Sequence, residues 1–370
     1  MRALISPDSF GDTLTAVAAA DAIAAGWMLG RPGDEVVRAP LSDGGPGFVD
    51  VLATRFGEVV TTTVRGPLDD PVDARWLRHE TAGRVTAYIE CAQACGLHQV
   101  GHPSPDTAWA ASTHGVGELV VAALAQGATT VVVGLGGSST TDGGVGMLEA
   151  LAAAAGATGA DLAAAADLAA PLDLIVASDV ENPLLGESGA AHVFGPQKGA
   201  DADTVVRLEA RMEQVNERLT ALAGRAVADE PGAGAAGGLG AALLALGGRR
   251  VSGATVIADA IDFEALVTAS DVLITGEGRF DTQTLRGKVV AAAAAAAAGH
   301  SVPVLVVAGQ VTLERSAIAD AGIAAAHAIV DIADSTEHAM GEAGPLLERL
   351  VADVARGWTA RHTAPGGPSE

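Results

Sequence analysis

The segment RALISPDSFGDTLTAVAAADAIAAGWML, residues 2–29, decides the fold class. Residues 2–6 form an apolar run of strand length that ends at the polar turn PDSFGD. The spacing of apolar residues over 13–29 predicts a helix, and a second apolar run, residues 35–41, ends at SDGG. A strand, a helix and another strand in this order predict a parallel sheet.

The same alternation returns near the carboxyl terminus, whereas the middle of the chain is mixed. Residues 59–66, 72–79 and 84–90 have strand character and are joined by short turns, which predicts antiparallel pairing. Toward the end of the chain we expect strands and helices to alternate over residues 271–275, 289–298, 302–308, 326–330 and 337–356.

These patterns predict an α/β protein with two domains. A flavodoxin- or Rossmann-like parallel-sheet domain would be built from both termini, residues 1–62 and 262–356. A mixed α/β domain, residues 63–261, would be inserted into it, and residues 357–370 predict a disordered tail. A continuous division into two domains is the alternative topology.

The charge of the chain excludes two classes of partner. The formal net charge is −23 over 370 residues, and a surface this acidic repels nucleic acid and anionic lipid. No secretory signal pattern is visible, and the longest apolar run, residues 289–299, is too short to span a bilayer. We therefore expect a cytoplasmic protein, monomeric or homodimeric, that acts on a small molecule.

Polar residues cluster in turns that directly follow apolar strands. These turns are PDSF, SDGG, GGSSTTDGG, SDVENP and GEGRFD. In open α/β sheets, ligands bind outside the carboxyl ends of the strands. Five such turns therefore predict one composite site.

The turn GLGGSSTTDGG, residues 134–144, is the strongest candidate for binding phosphate. Glycines let backbone N–H groups approach an anion, and hydroxyl side chains add donors. We predict cofactor-binding roles here for Gly136, Gly137, Ser138, Ser139 and Thr140. An ordinary tight turn, with an aspartate that caps the next helix, is the alternative.

A second glycine-rich segment, GAGAAGGLG, covers residues 232–240. It contains the G-x-G-x-x-G spacing of dinucleotide sites, but an acidic, proline-containing stretch precedes it instead of a strand. A phosphate-binding loop with Gly234, Gly237 and Gly238 is therefore favoured over a nicotinamide dinucleotide site. Simple close packing is the remaining alternative.

The chain contains two lysines, Lys198 in GPQKG and Lys288 in LRGK, among 22 basic residues. Lysine is a compact point charge, so positions that keep it in an arginine-rich chain are candidates for neutralising phosphate. Both lysines are predicted to be catalytic. The alternative is that two lysines remain by chance in an arginine-rich chain. Neither segment is a Walker A motif, which excludes the P-loop architecture.

Carboxylates in the turns are candidates for proton transfer and for holding Mg²⁺. Asp43 or Asp179 would accept the proton of the substrate hydroxyl, and Asp142 and Asp179 are the predicted metal ligands. A helix-capping or ion-pairing role is the alternative for each of them. Substrate-binding roles are predicted for Asp8, Ser9, Asn182, Glu277, Arg279 and Asp281. Arg279, with Arg286 as a second candidate, would bind a carboxylate.

With these motifs the chain resembles the bacterial glycerate kinase family that lacks a Walker motif. The resemblance rests on PDSF, SDGG, THGVGEL, GLGGSSTTDGG, SDVENPL, VFGPQKGA, GAGAAGGLGAALLAL and ITGEGRFDTQTLRGK, spread over nearly the whole chain. It implies ATP, Mg²⁺ and D-glycerate, with 2-phosphoglycerate as product. It also implies a flavodoxin-like domain joined to a second α/β domain.

The sequence departs from the family pattern at three turn positions. Gly11 stands where the family has lysine, Pro46 where it has glutamate, and Thr141 where it has asparagine. Two readings besides glycerate kinase therefore stay open within the resemblance: a kinase of a related hydroxy acid, and a non-catalytic ATP- or glycerate-binding paralogue. A nicotinamide-dependent oxidoreductase is the alternative from another class.

Overall fold

The computed structural model describes residues 1–159, 161–282, 284 and 289–358. The chain divides into two compact units. Unit 1 comprises Met1–Ser42 and the described part of Ile257–Glu370, and unit 2 comprises Asp43–Val256.

The described strands, numbered along the chain, are β1 Arg2–Ile5, β2 Glu35–Arg38, β3 Glu58–Arg65, β4 Pro71–Thr81, β5 Arg84–Glu90, β6 Ala128–Gly134, β7 Asp173–Ala177, β8 Arg249–Val251, β9 Val272–Phe280, β10 Val304–Val311 and β11 Ala325–Ala328.

The described helices are α1 Ala16–Gly30, α2 Phe48–Ala53, α3 Ala92–Cys95, α4 Pro105–Ala110, α5 His114–Ala125, α6 Val145–Ala154, α7 Leu162–Ala169, α8 Ala190–Phe194, α9 Ala202–Ala223, α10 Leu239–Ala245, α11 Gly253–Ala260, α12 Phe263–Thr268, α13 Val289–Gly299, α14 Arg315–Asp320, α15 Thr336–Gly341 and α16 Ala343–Gly357. Among these described helices, none is long and apolar enough to cross a bilayer.

Unit 1 contains a parallel sheet in the order β11-β10-β9-β1-β2. This is the flavodoxin-like order, in which the chain reverses its direction of travel between β1 and β9. Helices α1 and α16 pack on the sheet around Trp27 and Leu347. The two helices approach closely, because a Cβ on Gly26 would lie 2.3 Å from the carbonyl oxygen of Glu348. The predicted α/β class with a flavodoxin-like sheet is confirmed.

Unit 2 contains a mixed sheet in the order β3-β4-β5-β6-β7-β8. Strands β3, β4 and β5 pair antiparallel, as the sequence predicts, and β5 to β8 pair parallel. The core is aliphatic around the fully buried Trp76, whose indole N–H donates to the hydroxyl of Thr62 at 3.0 Å. Because β3 pairs with β4, residues 58–62 belong to this sheet, whereas the sequence-based boundary near 62 would leave them in the first domain. The domain assignment itself stays a prediction.

Three local expectations differ from the structure. The GEGRF segment extends β9 instead of forming a turn, because Arg279 and Phe280 pair with residues of β10. The predicted final helix is two helices, α15 and α16, separated at Glu342. At the start of the predicted tail, Gly357 ends α16 and Trp358 is buried. Residues 359–370 lie outside the described part of the chain.

Candidate active site

Four loops of unit 2 meet at the carboxyl edge of its parallel strands. The amide of Gly136 donates to the carbonyl of Gly44 at 3.2 Å, and the amide of Leu135 donates to Ala177 at 3.1 Å. The amide of Ser178 donates to Val251 at 3.0 Å. The turns after β6, β7 and β8 are therefore tied to each other and to the SDGG turn by backbone hydrogen bonds.

Glycines make this close approach feasible. A Cβ on Gly136 would lie 2.3 Å from the Cα of Gly45, and a Cβ on Gly253 would lie 2.0 Å from the carbonyl oxygen of Asp43. Contacts under 3.0 Å are not tolerated without movement of the backbone. The glycines therefore bring the side chains that follow the strands to one edge of the sheet.

Asp43 and Asp179 are the carboxylates that this arrangement brings together. Burial raises the pKa of Asp179, and the negative charge of Asp43 raises it further, against hydrogen bonds from Ser252 and Gly253. The Oδ2 atom of Asp179 is buried and has no hydrogen-bond partner among the described residues. Asp43 is exposed, and its Oδ1 accepts the amide of Gly45 at 3.0 Å. The site thus offers a carboxylate oxygen with free lone pairs next to a second acid, which suits a proton acceptor or a divalent cation.

Glu90, at the end of β5, accepts hydrogen bonds from the backbone that follows the SDGG turn. Its Oε2 accepts the amides of Gly47 at 3.0 Å and Val49 at 3.4 Å, where α2 begins. Burial raises the pKa of Glu90 to about 7, although both backbone hydrogen bonds oppose the shift. This acid therefore titrates near neutral pH and holds the loop that carries Asp43.

We expect the free energy of unfolding to fall as the pH rises from about 4.5 to about 7, by up to about 3 kcal/mol from Glu90. In that window the folded protein keeps the proton that the unfolded chain has lost, so deprotonation favours unfolding. Urea unfolding at pH 5 and pH 8 measures the difference. Glu90→Gln has no ionisation at this position and should remove this part of the pH dependence. An unchanged pH dependence in Glu90→Gln would contradict the assignment.

The loops 134–144 and 232–240 pack backbone against backbone. The amide of Gly143 donates to Gly237 at 2.9 Å, and the hydroxyl of Thr140 donates to the carbonyl of Ala236 at 3.3 Å. Ala236, Gly237 and Gly238 all have positive φ, at 49°, 64° and 93°. The second loop therefore packs closely against the first, and the phosphate-binding role of Gly234, Gly237 and Gly238 stays a prediction.

Gly237→Ala should destabilise the protein by about 3 kcal/mol or more, because the new Cβ would lie 1.9 Å from the carbonyl oxygen of Thr140. Gly224→Ala is a matched control: Gly224 has nearly the same φ, +67° against +64°, but its Cβ would meet no atom within 4 Å. The control should lose only about 1 kcal/mol, which is the strain of a left-handed alanine. Chemical denaturation of both variants gives the comparison, and equal losses would show that the clash with Thr140 is relieved.

Lys198 lies beneath the loop 134–144 and is only 3% exposed. Its ammonium donates to the carbonyl of Thr140 at 2.5 Å and to the hydroxyl of Ser138 at 3.3 Å. Burial lowers the pKa of Lys198 to about 8, while Cys95, Cys91 and Asp142 oppose this shift. The lysine therefore holds the loop and places a positive charge under it.

Asp142 is surrounded by donors of its own unit. Its oxygens accept the amide and hydroxyl of Thr113, both at 2.8 Å, and the amides of Gly144 at 3.0 Å and Gly146 at 3.2 Å. This set ties the loop to the start of α6, as the capping alternative proposes. Among the described residues, no group of three or more His, Cys, Asp or Glu side chains is arranged to hold a metal ion. The predicted metal role of Asp142 stays a prediction.

Two further sequence-based candidates, Ser139 and Asn182, lie around these loops. Ser139 donates its amide and its hydroxyl to the carbonyl of Cys95, at 2.8 and 3.0 Å. The side-chain amide of Asn182 donates to the carbonyl of Ser188 at 2.8 Å. The backbone carbonyl of Asn182 accepts the amide of Gly234 at 2.9 Å. Asn182 is thereby fixed between the turn after β7 and the loop 232–240. Lys288 and Arg286 lie outside the described residues.

The two cysteines of the chain are buried free thiols. Cys91 and Cys95 are free and fully buried below the loop, and the Cys91 thiol contacts the carbonyl of Gly136 at 3.5 Å. A hydrogen bond from its neighbour Cys95, together with burial, raises the pKa of Cys91 well above its usual range. The Cys91 thiol therefore remains protonated, and both side chains act in packing.

In unit 1, the remaining candidates lie at the carboxyl edge of the parallel sheet. The amide of Asp8 donates to Gly276 at 2.8 Å, and the Asp8 carboxylate accepts the amide of Ser9 at 2.6 Å. Arg279 is largely exposed and faces Asp281 at 3.5 Å. Glu277 lies on β9, two residues before Arg279, and is buried. The structure thus gathers Asp8, Ser9, Glu277, Arg279 and Asp281 around the ends of β1 and β9.

Sequence reasoning missed two supporting residues, Glu90 and Thr113. Glu90 ends an apolar strand as the acids of the other turns do, so its position after RVTAYI was an available signal. Thr113 is fully buried, and its hydroxyl links Asp142 to the amide of Met147 at 3.0 Å. No local pattern marks this threonine, because its role depends on packing between α5 and α6.

The chain is similar to known proteins over almost its whole length. The sequence model of the glycerate kinase family matches residues 3–359. A glycerate kinase of Bacillus subtilis is 40% identical, over 96% of this chain and 97% of that protein. An uncharacterized protein of Mycobacterium bovis is 52% identical, over 96% of this chain and 91% of that one. The crystal structure of a protein assigned as glycerate kinase 2 from Salmonella typhimurium LT2 superposes with a TM-score of 0.77 at 32% identity, covering 96% of this chain and 98% of that one. The chain belongs to the glycerate kinase family.

Proposed function

We propose that this protein transfers a phosphoryl group from ATP to the 2-hydroxyl of D-glycerate, in one direct in-line step. The observation that carries the proposal is the acid pair Asp43 and Asp179 at an edge crowded with backbone amides. An Escherichia coli relative named glycerate 2-kinase is 36% identical, over 89% of this chain and 91% of that protein, which supports the position of transfer.

Asp179 is the proposed proton acceptor. Direct transfer needs a group that takes the proton of the attacking hydroxyl, and a carboxylate whose pKa is raised by burial and by a neighbouring acid is suited to that task. Its Oδ2 is buried and has no hydrogen-bond partner among the described residues, so it can take up a proton without losing an existing hydrogen bond. Asp43 would keep the charge of the pair high and favour uptake of the proton.

The carboxylate of Asp43 fits a magnesium ion. Mg²⁺ is usually held by one or two carboxylates together with phosphate oxygens, so a larger protein cage is not required. The exposed carboxylate of Asp43 could supply such an oxygen, whereas four donors already surround Asp142. When bound, Mg²⁺ supplies neutralisation of phosphate charge. We therefore assign it to Asp43 before Asp142.

The loop 134–144 is the proposed phosphate cradle, and Lys198 is its positioning residue. The ammonium is buried under Thr140 and Ser138, so it acts on the loop and through the electric field above it. In an acidic protein with a net charge of −23, a fixed positive charge below the amides offsets the repulsion of a triphosphate. Lys288 remains the proposed partner cation from the sequence.

The carboxylate of glycerate is proposed to bind Arg279, with Asp8, Ser9, Glu277 and Asp281 as neighbours in unit 1. The guanidinium is 65% exposed, which leaves it open to a ligand. An arginine can hold a carboxylate through two parallel hydrogen bonds. The substrate-binding role that the sequence predicts for Asn182 stays a proposal.

Initial rates with a panel of acceptors test the proposal. D-Glycerate should support ADP formation, and glycolate, which has only the hydroxyl next to the carboxylate, should be a weak acceptor. 3-Hydroxypropionate, which has only the distal hydroxyl, should be inactive. Preference for 3-hydroxypropionate would overturn the assigned position, and ADP formation with none of the acceptors would overturn the activity. The oxidoreductase alternative gains no support, since residues 225–231, all described, contain no strand before Gly232.

A further inference from the structure

A cavity of about 250 Å³ lies within unit 1, at the carboxyl edge of the parallel sheet. The loop after β1, the ends of β9 and β10 and the turn after β11 border it, and α15 and α16 close the far side. The chain reverses its direction of travel between β1 and β9, which is the position where open α/β sheets bind ligands. None of the candidate residues named for the substrate or for phosphate lines this cavity.

The walls of the cavity are mainly apolar. Phe10, Ile329, Ala339 and Ala343 are buried and line it, and Met340 stands at the mouth with 58% of its surface exposed. A flexible thioether on an exposed helix face adapts to flat aromatic ligands. The cavity therefore favours an apolar, planar group.

Two glycines shape the floor. A Cβ on Gly309 would lie 2.4 Å from the carbonyl oxygen of Gly278, and a Cβ on Gly278 would lie 3.1 Å from the backbone of Phe10. The two strands are in direct backbone contact at these glycines, which carry no side chain into the cavity. A ring can lie flat against such a surface.

The charge of the lining residues indicates which part of ATP or glycerate the cavity can bind. Among the described lining residues, Asp12 is the only charged one. A lone carboxylate opposes both the phosphates of ATP and the carboxylate of glycerate, so neither is the natural occupant. The neutral part of the two substrates is the nucleoside. Gln310 and Thr336, at the rim, offer hydrogen bonds to the edge of a base.

We propose that this cavity binds the purine base of the nucleoside triphosphate donor. The inference rests on the proposed function, because it takes ATP as that donor. A volume of 250 Å³ lies just below the range of pockets for drug-sized ligands and fits a single fused ring system. The base would be held by unit 1 through apolar contact, and charge recognition would be left to other residues.

Ala343→Leu tests the proposal, because it fills the cavity from the start of α16. The dissociation constant of ADP, measured by calorimetry, should rise about tenfold or more. The KM for D-glycerate should change less than twofold. Met340→Ala, at an exposed position that does not threaten folding, should raise the ADP dissociation constant about threefold.

Ala319→Leu is the matched control, since Ala319 is exposed on α14 and does not line the cavity. It should bind ADP as the wild type does. Wild-type affinity for ADP in both Ala343→Leu and Met340→Ala would overturn the inference while leaving the kinase proposal intact. ADP binding without phosphorylation of any hydroxy acid would overturn the kinase proposal instead.

Discussion

Asp179→Asn is expected to lower kcat for glycerate phosphorylation by about 100- to 1,000-fold. The substitution keeps the shape of the side chain and removes the negative charge and the free basic oxygen. Burial already disfavours the charged form of Asp179, so the neutral amide should leave the folded state at least as stable at pH 7. The loss should therefore appear in turnover and not in the unfolding midpoint.

Asp173→Asn is the matched control for this experiment. Asp173 begins the same strand, β7, at its opposite end, and its side chain is 54% exposed. The same chemical change there should leave kcat within about twofold, because exposed ion pairs contribute little. If Asp179→Asn also kept kcat within twofold, with its fold intact, Asp179 could not be the proton acceptor.

Lys198→Met is expected to reduce kcat/KM by about 100- to 1,000-fold, which corresponds to about 3–4 kcal/mol. Methionine fills the buried volume but leaves the carbonyl of Thr140 and the hydroxyl of Ser138 without their ammonium donor. The loop 134–144 would then lose both its anchor and the positive charge beneath it. Arg55→Met, which removes a positive charge from an exposed position of unit 2, should leave kcat/KM nearly unchanged.

The pH profile separates the charge of Lys198 from its packing. With a pKa of about 8, the ammonium is lost as the pH rises through that value, and activity should fall above it. Between about 8 and 10.5 the unfolded chain holds more protons at this position than the folded one, so this group makes folding more favourable as the pH rises. Loss of stability from deprotonation of Lys198 therefore cannot explain the fall in activity above pH 8. Lys198→Met should lack the alkaline limb, and an unchanged limb would contradict the charge role.

Much of the fold follows from local sequence patterns. The strand-turn-helix start at residues 2–29 and the antiparallel run through β3, β4 and β5 have clear periodicity and turn residues. The end of β9 has no such signal, because Gly276 and Gly278 resemble a turn until β10 pairs beside them. Pairing across the sheet overrides local glycine preference there.

The residues of the candidate site could be predicted from the sequence. Their burial and hydrogen bonding could not. Glycine-rich turns after strands identified Asp43, Asp179 and the loop 134–144. The sequence gives no sign that Lys198 lies under the loop, or that four donors surround Asp142. Burial and hydrogen bonding between distant segments set those roles, and they appear only once the chain is folded.

Phosphorus NMR of the product formed from ATP, Mg²⁺ and D-glycerate tests the central claim most directly. The account predicts ADP and a single phosphate ester whose phosphorus couples to the one proton at C2 of glycerate. Coupling to the two protons of C3, or inorganic phosphate as the only product, would contradict it.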